Sequence, residues 1–436
     1  MSFFPSLRRP RSTRRRSATG WLVLGLILVP GESAAADLSF DEALRIAVER
    51  APLLQARRSQ VSARREESAR AAALPDPTLT LGLANWPVTG ADAFDLRSDD
   101  MTMQQVGVMQ EFPARAKRRA RQVLADRSVD EAQALSVAER LIVRQATTRA
   151  WIALWAAQRE VAALQRLREP ADVAIRSARA RLAGGTGSVT DTLATQAAAL
   201  DLENRIDAAE AGAEGARAGL ARQLGEEPAT IRIDDEPPDL MTLPVAPATL
   251  LASVDRQGSL LLWRSREAVA EAEVDAAVAE KRPDWSVGVT WGQRRRAPDG
   301  MPRSDMLMVQ FAIDLPVSTR NRQDRGVAAR RAELDAVAAE REDALRAQTE
   351  HVRTTLAEWE GLKRQVVRKE TELLPLAGDR TRTALAAYAA GGDLQPWLEA
   401  RRDEIELHVM HARHLGELGR AWAALAYLLP EEERSP

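Results

Sequence analysis

The chain has 436 residues, of which 28% are charged and only 4% aromatic, and its formal net charge is −2. Few aromatics beside abundant Ala favour long helices packed through small side chains over a thick globular core. The absence of cysteine excludes disulfides, a thiolate metal site, a Cys nucleophile and a lipid anchored through a thiol.

Arg8, Arg9, Arg11 and Arg14 to Arg16 precede the short apolar run WLVLGLILVP (21–30), and Ala34-Ala35-Ala36 offers a small-residue cleavage site before Asp37. Residues 1–36 therefore read as a secretory signal peptide. The apolar run is too short to span a bilayer well, and nothing comparable follows it, so any membrane insertion must use strands. Cleavage removes six Arg and one Glu from 61 basic and 63 acidic side chains, leaving 55 and 62, a net of −7. Nucleic acid is not an expected partner of such a chain.

Ser39-Phe40-Asp41-Glu42 fits a capping box and opens a helix expected to run, with interruptions, to Leu74. Pro75 and Asp76 end it. Leu79, Leu81 and Leu83 then alternate with Thr78, Thr80 and Gly82, which predicts a strand over about 78–86 with two chemically different faces. A polar, turn-rich loop (87–100) leads to a return strand at about 102–112. After Pro113 comes a helical segment of about 114–183, in which Leu135, Ala138, Ile142, Ala146, Ala150, Leu154, Ala157, Val161 and Leu164 recur at three or four residues. That spacing is nearer 3.6 than 3.5, a packed face without the demand for a tight supercoil. About 70 helical residues would span about 100 Å. Gly184-Gly185-Thr186-Gly187 breaks the segment, and a second helix returns over about 188–224.

A Pro-rich connector (225–249) follows, and then the pattern starts again. A helix at about 249–281 leads to Pro283-Asp284. Strands follow at about 285–293 and 305–315, with Pro316 after them. A long helical segment covers about 320–389, and beyond a Gly391-Gly392 break a return helix covers about 394–428. Pro75-Asp76 is echoed 208 residues later, VGVMQEFP (106–113) by VQFAIDLP (309–316) 203 residues later, and GSVTDTL (187–193) by GDLQPWL (392–398) 205 residues later. Three landmarks in one order at nearly one offset mark an internal duplication. The expected organisation is a first repeat over 37–224, the connector, a second repeat over 250–430 and a short tail over 431–436.

Four amphipathic strands cannot close a barrel, and lipid tolerates no unpaired strand edge. Several copies that each give four strands to one barrel would solve both problems. Strands of about nine residues suit a tilted crossing of a bilayer core, with Trp86, Trp285 and Trp291 as interface anchors. This order of helix, two strands, long helix, glycine turn and return helix, met twice, resembles the TolC family of outer-membrane efflux channels over essentially the whole mature chain. The resemblance implies a mainly α fold with a small membrane β-barrel portion. It also implies a homotrimer whose protomers give four strands each to a twelve-stranded barrel in outer-membrane lipid, above a long periplasmic α-barrel. The implied partners are a periplasmic membrane-fusion adaptor and an inner-membrane RND pump. Pro75 and Pro283 are then the helix-to-strand junctions, and Pro113 and Pro316 the strand-to-helix ones, since proline cannot continue a helical ladder. QEFPARAKRRAR (110–121) and IDLPVSTRNRQDR (313–325) resemble the cobalt–zinc–cadmium branch, which implies divalent heavy metals as cargo. Where that branch shows Gly-Gly-Lys-Arg this chain has Arg115-Ala116-Lys117-Arg118, and where it shows Asn-Gln-Gly this chain has Asn321-Arg322-Gln323. The alternatives are a channel for organic drugs or type I secretion, and a periplasmic adaptor or coiled-coil spacer.

By the same resemblance the glycine turns form the periplasmic tip. Thr190-Asp191 matches a tip pair of the family's prototype, Glu399 lies at or beside a gate aspartate, and Asp393 is near the tip by spacing. A three-fold ring of such acids would favour cations. The plainer reading is helix capping, by Ser188 or Asp191 at one turn and Asp393 at the other. His408, His411 and His414 are spaced to let two share a soft cation, although helix-surface histidines are commoner. The basic run Arg115, Lys117, Arg118, Arg119 and Arg121 could face lipid phosphates. With four His in all and no Gly-rich phosphate loop, neither an enzyme nor a cofactor is expected.

Overall fold

The computed structural model of the protein describes residues 37–234 and 236–430. The chain divides into two units, Met1–Asp37 and Leu38–Pro436. Of the first only Asp37 is described, so the expected signal peptide lies outside the described residues, as does the tail over 431–436.

In the second unit Ser39 opens α1 (Phe40–Arg50), its hydroxyl accepting from the Glu42 amide at 3.3 Å. Pro52 begins α2 (Pro52–Ala71), which stops three residues short of Leu74. Two strands follow, β1 (Thr78–Ala84) and β2 (Met103–Phe112), then α3 (Arg115–Gln165), α4 (Arg168–Ala183) and α5 (Val189–Leu224). Gly225, at φ +67°, ends α5 in the left-handed conformation that a residue with a Cβ adopts at a cost. The second pass runs through α6 (Pro247–Ala252), α7 (Gly258–Ala279), β3 (Trp285–Arg294), β4 (Met306–Ile313), α8 (Gln323–Arg368), α9 (Leu374–Ala389) and α10 (Gln395–Ala426). Where one helix over 249–281 was expected there are two, with a 3-10 turn at Val254–Arg256 between them. Among the described residues no helix is long and apolar enough to cross a membrane.

The two long segments are not single helices. The first breaks at Arg166–Leu167, just before Pro170, and the second passes through a π-helical turn, Lys369–Leu373, just before Pro375. Each proline lacks the N–H that would donate four residues back, to Arg166 or to Thr371, and its ring crowds that carbonyl. The α-ladder opens there instead. At the first break the buried Arg401 guanidinium donates to the Leu167 carbonyl, which helps satisfy backbone that the break exposes. The 51 residues of α3 run for roughly 75 Å.

The main core lies where α1, the middle of α3, the C-terminal half of α10 and the connector meet. Phe40 stands edge-on to Trp151 at 5.6 Å and to Trp422 at 6.5 Å. The connector is part of this core rather than a loose linker: Leu240, Val245 and Leu250 are buried in it. The indole N–H groups of Trp359 and Trp422 donate to the Leu240 and Thr242 carbonyls at 2.9 and 2.7 Å. The expected stripe on α3 is right at Leu154 and Leu164, which are fully buried, and wrong at Ile142, which is exposed. Leu141 and Val143 are buried instead, because the helix changes neighbours along its length.

The sheet has the order β1-β2-β3-β4, antiparallel throughout, with β1 and β4 as free edges.

Candidate functional site

The register sorts the sheet's side chains by chemistry. Leu81 lies opposite Val106, Val106 opposite Trp291, and Trp291 opposite Leu307. One row further, Leu79, Val108, Val289 and Val309 line up in the same way. One face is therefore mainly apolar, interrupted by Gln104, Gln110 and Gln293, with Phe112 stacked on Trp285 at 4.2 Å at its end. Nothing among the described residues covers it: Leu81 and Phe311 are each 72% exposed. An uncovered apolar face this large is foreign to a water-soluble surface. The opposite face carries Thr80, Gly107, Thr290 and Met308 in one row and Gly82, Gln105, Gly292 and Met306 in another. Gly107 is required there, since a Cβ would stand 2.6 Å from the Thr290 hydroxyl and 2.7 Å from that of Thr80. The two strand-connecting loops meet at one end of the sheet, where Arg303 donates to the Arg97 and Asp99 carbonyls at 2.9 and 2.8 Å.

At the other end the strands pass into helices. Pro75 and Pro77 lie between α2 and β1, Pro113 between β2 and α3, Pro283 between α7 and β3, and Pro316 between β4 and α8. Across the β2–β3 pair, Asp284 reaches to the start of α3. One carboxylate oxygen accepts from the Ala114 amide and the other from the Lys117 ammonium, both at 2.7 Å. Glu280 approaches Lys117 at 3.2 Å and Arg121 at 3.6 Å. Burial alone would raise the Asp284 carboxyl, but the Lys117 ammonium and the Ala114 amide outweigh it and hold it below its ordinary value. Burial likewise opposes charge on Lys117, and the hydrogen bonds to Asp284 and Glu280 lift it above its ordinary value. The lipid-facing role expected for Lys117 is thus corrected: its side chain is 8% exposed and belongs to an internal ion pair.

The turns between α4 and α5 and between α9 and α10 come together at the far end. Gly185 and Gly391 take φ of +72° and +110°. Ser188 caps α5, its hydroxyl accepting from the Asp191 amide at 3.0 Å, so the Asp191 side chain is free of that task. Thr190 is exposed in the first turn of α5. Asp393 is exposed and caps nothing, and the Glu399 carboxylate accepts from Gln395 at 2.9 Å. The residue that joins the two turns was not singled out from the sequence. Arg181 donates to the Tyr388 and Gly392 carbonyls at 2.6 and 2.9 Å and stacks over the Tyr388 ring at 4.4 Å. Tyr388 packs with Leu394, Trp397, Ala174 and Ala178 in a small core of its own. Burial raises the Tyr388 phenol, aided by the nearby Asp191 carboxylate and opposed by Arg181.

His408 and His411 line one cavity, and His414 is not among its lining residues. His411 Nε2 meets Glu370 at 3.0 Å, and His414 Nδ1 meets Lys369 Nζ at 2.7 Å, both on the π-helical turn. Burial lowers His408 and His414, and the Lys369 ammonium lowers His414 further. Among the described residues no three His, Asp or Glu side chains gather around a point fit for a metal ion.

The sequence matches no family model and no curated protein. Solved structures with the same fold do exist. The outer-membrane channel OprN superposes with a TM-score of 0.75 at 18% identity, over 90% of this chain and 89% of that one. CusC, described in terms of folding and transmembrane channel formation, superposes with a TM-score of 0.75 at 12% identity, over 90% and 93%. The Neisseria gonorrhoeae MtrE outer-membrane channel in its open state gives 0.70 at 17% identity, over 91% and 89%. At such identities the likeness establishes the fold, a mainly helical chain with a small four-stranded sheet.

Proposed function

We propose that this protein is the outer-membrane channel of a tripartite efflux system, a passive path rather than an enzyme. The observation that carries the reading is the open four-stranded sheet, one face mainly apolar, the other lined by Thr, Gly and Gln together with Met109, Met306 and Met308, with two edges that no described residue pairs. Three copies joined edge to edge would give twelve strands, an apolar band toward lipid and a polar lumen. Strands of seven to ten residues at about 3.3 Å per residue, tilted about 45°, rise roughly 16–23 Å, the longest of them close to the height of an apolar band about 25 Å tall. The helices extend from this barrel into the periplasm, where the two turns form a tip addressed by an adaptor and an RND pump.

The tip is the gate in this reading. Arg181 ties the α4–α5 turn to the α9–α10 turn, and opening swings α5 and α10 outward as adaptor contacts favour the open state. Asp191, Asp393 and Glu399, three copies each, give the entrance an acidic character suited to cations. Divalent heavy-metal ions are the proposed cargo, on the likeness of segments 110–121 and 313–325 to the cobalt–zinc–cadmium branch. His408, His411 and His414 would act only as transient contacts. Growth of a deletion strain, with and without the gene restored, tests the cargo. Sensitivity confined to zinc, cadmium, cobalt or nickel supports it, and sensitivity to dyes and antibiotics alone would leave the channel and remove the metal reading.

A further inference from the structure

The two strand-to-helix junctions are built from the same sequence pattern yet differ in structure. After Pro113 the chain is helical within two residues, at Arg115. After Pro316 it is not. The Val317 amide turns back onto the Leu315 carbonyl at 2.9 Å, a 3-10 turn follows at Thr319–Asn321, and α8 begins only at Gln323. The first junction has a cap, Asp284, supplied by the neighbouring strand pair. Among the described residues the second has none. The repeat offsets identify the missing group. The offset of 203 that carries Pro113 to Pro316 carries Ala114 to Val317 and Lys117 to Arg320, and the offset of 208 that carries Asp76 to Asp284 assigns Asp76 as the counterpart cap.

Within one chain this pair cannot form, because Asp76 precedes β1 and Arg320 follows β4, the two opposite free edges. Both side chains are exposed, and among the described residues neither makes a hydrogen bond or ion pair, while Val317 is 86% exposed. We propose that the junction after Pro316 is completed between copies of this chain. Asp76 of a second copy accepts from the Val317 amide and pairs with Arg320, as Asp284 does with Ala114 and Lys117 inside the chain. The inference rests on the edge-strand assembly proposed above and names the contact that fixes its register. Carrying the β2–β3 register across by the same offsets places Ile313, Phe311 and Val309 opposite Leu79, Leu81 and Leu83 of the second copy. That alignment keeps the apolar face continuous, whereas a slip of one residue would set it against Thr78, Thr80 and Gly82. The cap also supplies the anion that a helix start favours, so α8 extends back toward Ser318 on assembly.

The chain has no cysteine, which makes the test clean. Asp76→Cys with Val317→Cys, oxidised with diamide in detergent-solubilised full-length protein, is expected to give a covalent ladder ending at a closed ring. Ala114→Cys with Asp284→Cys serves as the intrachain reference and should stay monomeric. In parallel, Asp76→Arg and Arg320→Asp should each shorten the lifetime of the SDS-resistant oligomer roughly tenfold, and the combined charge swap should recover most of it. If light scattering finds the oligomer but the interchain disulfide fails while the reference closes, the junction is refuted and the edge-strand assembly stands. A combined swap no better than either single change also refutes it. If no oligomer forms in the unaltered protein, the assembly and the junction fall together.

Discussion

Replacing Asp284 by Ala removes the side chain that holds the Ala114 amide at the start of α3 and shares Lys117 with Glu280 at the base of the sheet. Loss of the cap on the Ala114 amide costs about 1 kcal/mol. Loss of the charge-assisted bond to Lys117 costs about 1.5–3 kcal/mol. Glu280, half-exposed at 3.2 Å, retains part of the second term, so a total of about 3 kcal/mol is expected. If the chain melts as one unit, an unfolding entropy of about 2.1 cal/mol/K per residue turns this into a midpoint about 4 °C lower. Asp284→Asn keeps an acceptor for the Ala114 amide and should lose about half as much. The pH dependence has a definite sign. Asp284 is held below its ordinary 3.8, so its contribution is present above about pH 4 and is lost as pH falls through the lowered value. Lys117 is held above its ordinary 10.5, so its contribution is present below that value and is lost as pH rises through the raised one. The wild-type advantage over Asp284→Ala should therefore be flat from about pH 5 to 9 and fade at acid pH. Thermal melts of the detergent-solubilised protein, followed by circular dichroism, measure this directly. A midpoint within about 1 °C of wild type, or an advantage that persists unchanged at pH 2.5, would mean that Asp284 does not hold this junction.

Phe311→Arg puts a charge in the middle of the apolar face and should cost about 2–4 kcal/mol of insertion. Gln310→Arg, on the opposite face, should insert like wild type, and recovery from washed outer membranes separates the two. Trp422→Phe leaves the Thr242 carbonyl without its donor and should cost about 1–3 kcal/mol in the same melts, with Trp359→Phe behaving alike through Leu240. Arg181→Ala frees both turns at the tip and should raise uptake of a large antibiotic such as vancomycin several-fold in whole cells. Unchanged uptake in that strain would remove Arg181 from the gate.

What the sequence discloses and what it hides follow from the range of the forces involved. Strand faces are legible because alternation is local: Leu79, Leu81 and Leu83, or Trp285, Val287, Val289 and Trp291, announce a two-faced sheet without reference to anything else. Glycine turns are legible for the same reason, since Gly185 and Gly391 sit where φ is positive. The breaks at Arg166–Leu167 and Lys369–Leu373 were within reach through Pro170 and Pro375, whose effect falls on the turn before them. Lys117 was not, because among five neighbouring basic residues only the fold decides which one meets Asp284, 167 positions away. Arg181 was hidden likewise, since its partners are carbonyls of a turn more than 200 residues later, and carbonyls have no sequence. The exposure of Ile142 beside buried Leu141 and Val143 shows the same limit, a helix whose inward face depends on which neighbour it meets.

A fold that forms a pore conducts ions, and planar lipid bilayers report that conductance. The purified oligomer, recorded beside its Arg181→Ala and Asp191→Ala variants, should give discrete single-channel steps, larger and longer-lived where the tip has been loosened. An oligomer shown to be folded and inserted that passes no current in any of the three forms would rule out a pore.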